Sequence, residues 1–185
     1  MRMLKILTIL AVALLAQGCF VLSIHPLYSE KELVSNDNLP GTWTGSDDDK
    51  GFWTFEETEK NGYRMTVVEE GKSDGLFIAH LIQLDGRYFL DLYPEEPDSA
   101  NEHFLSHVIS AHSFWLADIG QDTLRLASLD YDWLRDAIKA GTVDIGHEQL
   151  EHFLVLTGDT RELQAFVVKY VDEAFEDFEE VYRVK

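Results

Sequence analysis

Seven histidines and one cysteine are the residues of this 185-residue chain with the most versatile chemistry. His103 and His107 are four positions apart, His107 and His112 five, and His147 and His152 five. On a helix, residues i and i+4 share a face and could hold one ion; on a strand the same spacing separates them by about 13 Å at ~3.3 Å per residue. His103 and His107 fall where strand or loop is expected, and no helix of His-Glu-x-x-His type accompanies them. No metal site is therefore assigned, and the histidines are expected at the surface or at strand ends. Asp47-Asp48-Asp49-Lys50-Gly51 is as acidic as a calcium loop but lacks the spaced ligands and closing Glu of an EF-hand, so a solvated turn is expected. With 34 acidic residues present, chance carboxylate pairs carry no argument for glycoside chemistry. No nucleophile elbow and no Gly-rich phosphate loop is assigned, so the sequence names no catalytic residue and no cofactor.

The aromatic residues Trp43, Phe52, Trp53, Phe55, Tyr63, Phe89 and Trp115 could line a cavity for an apolar ligand. The same residues could fill a core, which is the more common use of large aromatics.

Cys19 is the only cysteine, which excludes a disulfide within the chain. What precedes it has the order of an export signal. Arg2 and Lys5 are positive, and the eleven residues 6–16 contain one polar side chain, Thr8. That run is shorter than the ~20 residues a bilayer core requires and suits a signal-peptide apolar region. Leu15-Ala16-Gln17-Gly18-Cys19 resembles the lipobox of bacterial lipoproteins, in which a small residue precedes a cysteine that receives diacylglycerol before cleavage. Gly18 and Cys19 match; Ala16 stands where leucine is commonest, and Gln17 is less typical. The resemblance implies removal of residues 1–18, lipid (palmitate-type acyl chains) on Cys19, and a membrane as the first partner. Two or more acyl chains hold a protein stably, whereas one holds it only marginally. Phe20, rather than Asp, after the cysteine leans the expected address toward the outer membrane, facing the periplasm.

The whole chain carries 15 basic and 34 acidic residues, a net charge of −19. Without Arg2 and Lys5 the net charge is −21. A body this acidic repels phosphate backbones, so nucleic acid is excluded as an expected partner. At 45% hydrophobic and 12% aromatic residues the chain is expected to fold, as one domain over 39–185 after a lipidated tether at 19–38.

Short alternating apolar stretches, separated by Gly, Asp or Asn, predict antiparallel strands at 41–46, 51–57, 63–70, 76–84 and 87–93, then at 104–109, 113–119 and 123–129. Strands are also expected at 153–157 and 178–184. Asn61-Gly62 and Asp85-Gly86 are hairpin signals, because both positions of each tolerate positive φ. Two helices are predicted: 133–140, capped by Asp130 or Asp132 and ended by Gly141, and 161–171, capped by Asp159 or Thr160 with Leu163, Phe166, Val167 and Tyr170 as one stripe.

The order is mainly β with two or three helices. Gly41-Thr42-Trp43 resembles the Gly-x-Trp that opens the first strand of lipocalins, where the Trp closes one end of the barrel beneath an Arg from near the last strands. Arg183 is in position for that part. The resemblance implies an antiparallel lipocalin-like (calycin-like) barrel. The chain from Ile24 onward is also similar to a set of uncharacterised bacterial lipoproteins, through His25-Pro26-Leu27-Tyr28, Gly41-Thr42-Trp43, Phe89-Leu90-Asp91-Leu92 and Thr160-x-Glu162-Leu163-Gln164-x-Phe166. That likeness brings no activity with it. The expected function is a membrane-anchored envelope lipoprotein that binds an apolar ligand or another envelope component. A structural or assembly protein with a filled interior is the alternative, and a hydrolase ranks third.

Overall fold

The computed structural model describes residues 20–45, 51–58, 62–96 and 101–185. Its strands are β1 (Phe20–Ser23), β2 (Gly41–Thr44), β3 (Phe52–Glu57), β4 (Tyr63–Val68), β5 (Gly75–Leu84), β6 (Arg87–Pro94), β7 (Ser113–Ile119), β8 (Thr123–Ser128), β9 (His147–Gln149), β10 (Phe153–Leu156) and β11 (Phe178–Arg183). Its helices are α1 (Glu102–Leu105), α2 (Tyr131–Lys139), α3 (Thr160–Lys169) and α4 (Val171–Ala174). Eight strands close into an antiparallel lipocalin-like barrel in the order β11-β2-β3-β4-β5-β6-β7-β8. The predicted fold class holds, with four short helices among the described residues where two or three are expected.

Period-two patterning builds the barrel wall. Trp53, Phe55 and Tyr63 to Val67 at alternate positions face inward, as do Ala79, Leu81, Leu90, Leu92, Leu124 and Leu126. Trp43, Phe55, Tyr63, Leu81, Leu90, Leu124 and Leu126 are each essentially fully buried. Asp85 and Gly86, with φ of 48° and 78°, make the tight β5–β6 hairpin predicted for them. The predicted Asp47–Gly51 turn and Asn61 lie largely outside the described residues.

A second core lies on the outer face of β5 to β8. Ile82, Phe89, Phe114, Leu116 and Ala127 pack there against Leu134 of α2, Leu163, Phe166 and Val167 of α3, and Leu154 and Leu156 of β10. Each fully buried Leu or Phe contributes about 1.5–3 kcal/mol. The stripe expected on α3 is what docks it. Asp130 caps α2 through the Trp133 N–H, and Asp159 caps α3 in a capping box with Glu162.

One expectation needs correction. The run 104–109 is not a strand: Asn101 accepts hydrogen bonds from the His103 and Phe104 N–H groups and starts α1 instead. Phe104 and Ile109 stay exposed, so nothing packs the alternation a strand would need. The segment 20–38 packs closely on the body. β1 pairs in parallel with β10 in a three-stranded sheet β1-β10-β9, Leu27 is fully buried, and Leu33 bridges to Ile82.

Candidate functional site: a buried aspartate–histidine pair on the barrel wall

In β6, Leu90 and Leu92 turn inward, so Phe89, Asp91 and Tyr93 turn outward. Outward here does not mean solvated. Asp91 is 0% exposed, covered by the chain at Leu27. Its Oδ2 accepts the Leu27 N–H at 2.7 Å, and its Oδ1 lies 2.6 Å from Nδ1 of His112. His112, just before β7, is 9% exposed, and its backbone exchanges two hydrogen bonds with Ser23 at the end of β1. The Tyr93 ring lies 4.7 Å from that of His112. His80 stands directly across from Asp91 in the β5–β6 register, with the Tyr28 ring 4.4 Å from its own.

Three of the four short motifs singled out in the sequence converge here. Thr160 donates through its hydroxyl to the Pro26 carbonyl, and Gln164, one helical turn on, donates to the Leu27 carbonyl, each at 2.9 Å. Glu162 completes the capping box that starts the same helix. The His25–Tyr28 segment is therefore held from one side by α3 and from the other by Asp91.

The electrostatics follow from burial. Burial lowers the His80 pKa; Asp91 works against that lowering and His112 adds to it. Burial also raises the Tyr28 phenol, with Asp91 adding to the rise. On the same segment, burial would raise Glu32, but hydrogen bonds from the Ser29 hydroxyl and N–H, from Lys31 and from Gln164 bring it down to about 2.

A carboxylate on Nδ1 fixes the imidazole ring and favours the tautomer with a free Nε2. Nε2 of His112 makes no hydrogen bond, and no buried polar side-chain atom among the described residues lacks a partner, so Nε2 reaches solvent. This is an orienting acid beside a base, the pairing on which acid–base chemistry depends. No hydroxyl or thiol among the described residues is bonded to that base. Contrary to the expectation that the sequence has no Gly-x-Ser-x-Gly elbow, Gly71-Lys72-Ser73-Asp74-Gly75 spells that motif. It runs from the turn after β4 into the first residue of β5, with Gly71 to Asp74 exposed, and has no strand-to-helix elbow.

The other candidates sit apart from this pair. Cys19 lies outside the described residues. Gly41, Trp43 and Arg183 meet where β2 joins β11, with Arg183 over the Trp43 ring. His107 Nδ1 lies 2.7 Å from the His103 carbonyl oxygen, both residues exposed. Among the described residues no group of three His, Cys, Asp or Glu side chains is placed to hold a metal. An open cleft of about 450 Å³ between the 141–146 loop and α3, lined by Asp144, Glu162, Phe166 and Lys169, includes neither Asp91 nor His112. Sequence reading took His112 for a strand-end residue. The missed signal was Asp91, an acid on the same strand face as Phe89, which calls for a partner.

Comparison of the chain with protein-family models, with curated proteins and with solved structures finds no match in any of the three.

Proposed function

We propose that the chain is an exported lipoprotein, acylated on Cys19 and held at the outer membrane facing the periplasm, whose barrel is a solid body that recognises another envelope component. The anchor rests on the lipobox-like segment ending at Cys19 and on the apolar run before it. The observation that carries the solid-body reading is the interior: Trp43, Phe55, Tyr63, Leu81, Leu90, Leu124 and Leu126 occupy it and exclude solvent. Trp53 and Trp115 meet edge to face within the same cluster, 6.3 Å apart. A carrier of apolar ligands needs a cavity of some hundreds of Å³ at such a place; these side chains favour the structural or assembly role over a carrier. No helix among the described residues is long and apolar enough to cross a membrane.

Two measurements test this. The Cys19→Ser variant is expected to lose membrane fractionation and lipid label; a variant that stays in the membrane, with an unlabelled wild type, sinks the anchor. Intrinsic tryptophan fluorescence is expected to show no saturable response to fatty acids, and a saturating response would restore the carrier.

One observation favours a second reading, hydrolysis by histidine catalysis: the solvent-reaching Nε2 of His112, oriented by buried Asp91. It ranks lower because no nucleophile among the described residues accompanies it. Loss of a measurable hydrolysis of an envelope substrate in His112→Gln would reverse that order.

A further inference from the structure

Resting on the acylation of Cys19, we infer that Phe20, Leu150 and Phe153 form the face that lies against a phospholipid surface and fix how the barrel stands on it. Cys19 directly precedes Phe20, and consecutive Cα atoms are ~3.8 Å apart, so an acylated Cys19 is separated from the folded body by no linker. Phe20 is not a loose end. It is paired with Phe153 in the β1–β10 register, and its N–H donates to the His152 carbonyl at 3.2 Å. The point where the anchor enters the body is thus the β9–β10 turn.

Beside the exposed Glu151 and His152 of that turn stand three apolar side chains that are also exposed. Phe20 is 55%, Leu150 54% and Phe153 39% exposed. The Phe20 and Phe153 rings stack with centroids 6.5 Å apart, and the Leu150 N–H donates to the Phe153 carbonyl at 2.8 Å, which closes the turn and sets Leu150 opposite Phe153. Single exposed apolar residues are ordinary on any protein. Two stacked rings and a leucine hydrogen-bonded to one of them through the backbone, at the position the acyl chains leave, are what an interfacial contact requires. The charge of the surroundings selects the lipid. Glu148 and Glu151 flank Leu150, no Lys or Arg occurs between Lys139 and Arg161, and Arg135, which reaches this side through Tyr131 and Gln149, is already paired with Asp132 and Asp136. Attraction to anionic headgroups needs basic residues near the surface, so the face suits zwitterionic headgroups, contacted through apolar side chains.

The test uses the full chain in isolated membranes, with a benzophenone amino acid in place of Phe153, and separately in place of Leu150. Ile109, 79% exposed and beyond the Ser23 end of β1, is the control position. Irradiation is expected to link positions 153 and 150 to phospholipid and position 109 to none. Protein adducts alone at both test positions, no adduct, or equal lipid labelling at 109 would overturn the inference. Lipid label on Cys19 is measured in the same samples. Its absence overturns the acylation reading and this inference with it; its presence without lipid adducts overturns this inference alone.

Discussion

The guanidinium carbon of Arg183 lies 4.2 Å from the centroid of the Trp43 ring, across the seam where the last barrel strand meets the first. That seam is short: among the described residues Tyr182 pairs with Thr44 and Arg183 with Trp43, and the Val184 N–H donates to the Thr42 carbonyl at 2.9 Å. The side chains make up for its length. Arg183 donates to the carbonyls of Gln121 at 2.8 Å, of Pro40 at 2.7 Å, and of Asn38. The Trp43 indole N–H donates to the Leu39 carbonyl at 3.0 Å. Gly41, at φ 135°, leaves room for the Arg183 guanidinium that any Cβ would fill.

Trp43→Ala is accordingly expected to destabilise by about 3–5 kcal/mol, the cost of a large aromatic cavity. Arg183→Met is expected to cost about 1.5–3 kcal/mol, from lost charge-assisted hydrogen bonds and the cation–π contact. Urea unfolding measures both. A Trp43→Ala change below about half a kcal/mol would mean that this pair does not close the barrel.

The seam shows how much of the fold the sequence carried. Gly41, Trp43 and Arg183 were readable because their roles are local or tied to strand ends. So were the Asp85-Gly86 hairpin and the caps Asp130 and Asp159, whose chemistry acts within four residues. β1 was not readable. Its partner, β10, lies far along the chain, and three apolar residues followed by a serine carry no signal of a parallel pairing across such a distance. The 104–109 run misled because alternation alone was read, while Asn101 as a helix cap was not. Asp91 and His112 were missed as a pair for a similar reason: a buried charge and its partner are joined only by the folded wall.

Their coupling gives the second prediction. Asp91→Ala leaves the buried Leu27 N–H without an acceptor and His112 without its orienting carboxylate. Leaving a buried donor without its acceptor costs about 1–3 kcal/mol, and amide exchange at Leu27 is expected to rise with it. His112→Gln keeps an N–H donor beside Asp91 and leaves the Leu27 hydrogen bond in place, so it is expected to cost less. In a double-mutant cycle the two changes should couple by roughly 0.5–3 kcal/mol. Additive effects, with Leu27 exchange unchanged in Asp91→Ala, would show that the clasp does not hold the His25–Tyr28 segment.

The third prediction concerns acid. Burial on the barrel wall lowers the His80 pKa below its usual 6.5; Asp91 opposes the shift and His112 reinforces it, and the Tyr28 ring covers the imidazole. Between the lowered folded value and 6.5, the unfolded chain binds a proton at this site that the folded chain does not. The stability tied to neutral His80 is therefore fully present above pH 6.5 and is lost as the pH falls through that window toward the folded value. Glu32, held at about 2, titrates well below it and does not interfere. The urea midpoint of the wild type is expected to fall between pH 7.5 and pH 5.5, and His80→Gln is expected to fall by less over the same interval. The other six histidines are common to both proteins, so the difference between the two slopes belongs to His80. Equal slopes, or a wild type that gains stability on acidification relative to His80→Gln, would mean that the imidazole is not buried in its neutral form against the barrel wall.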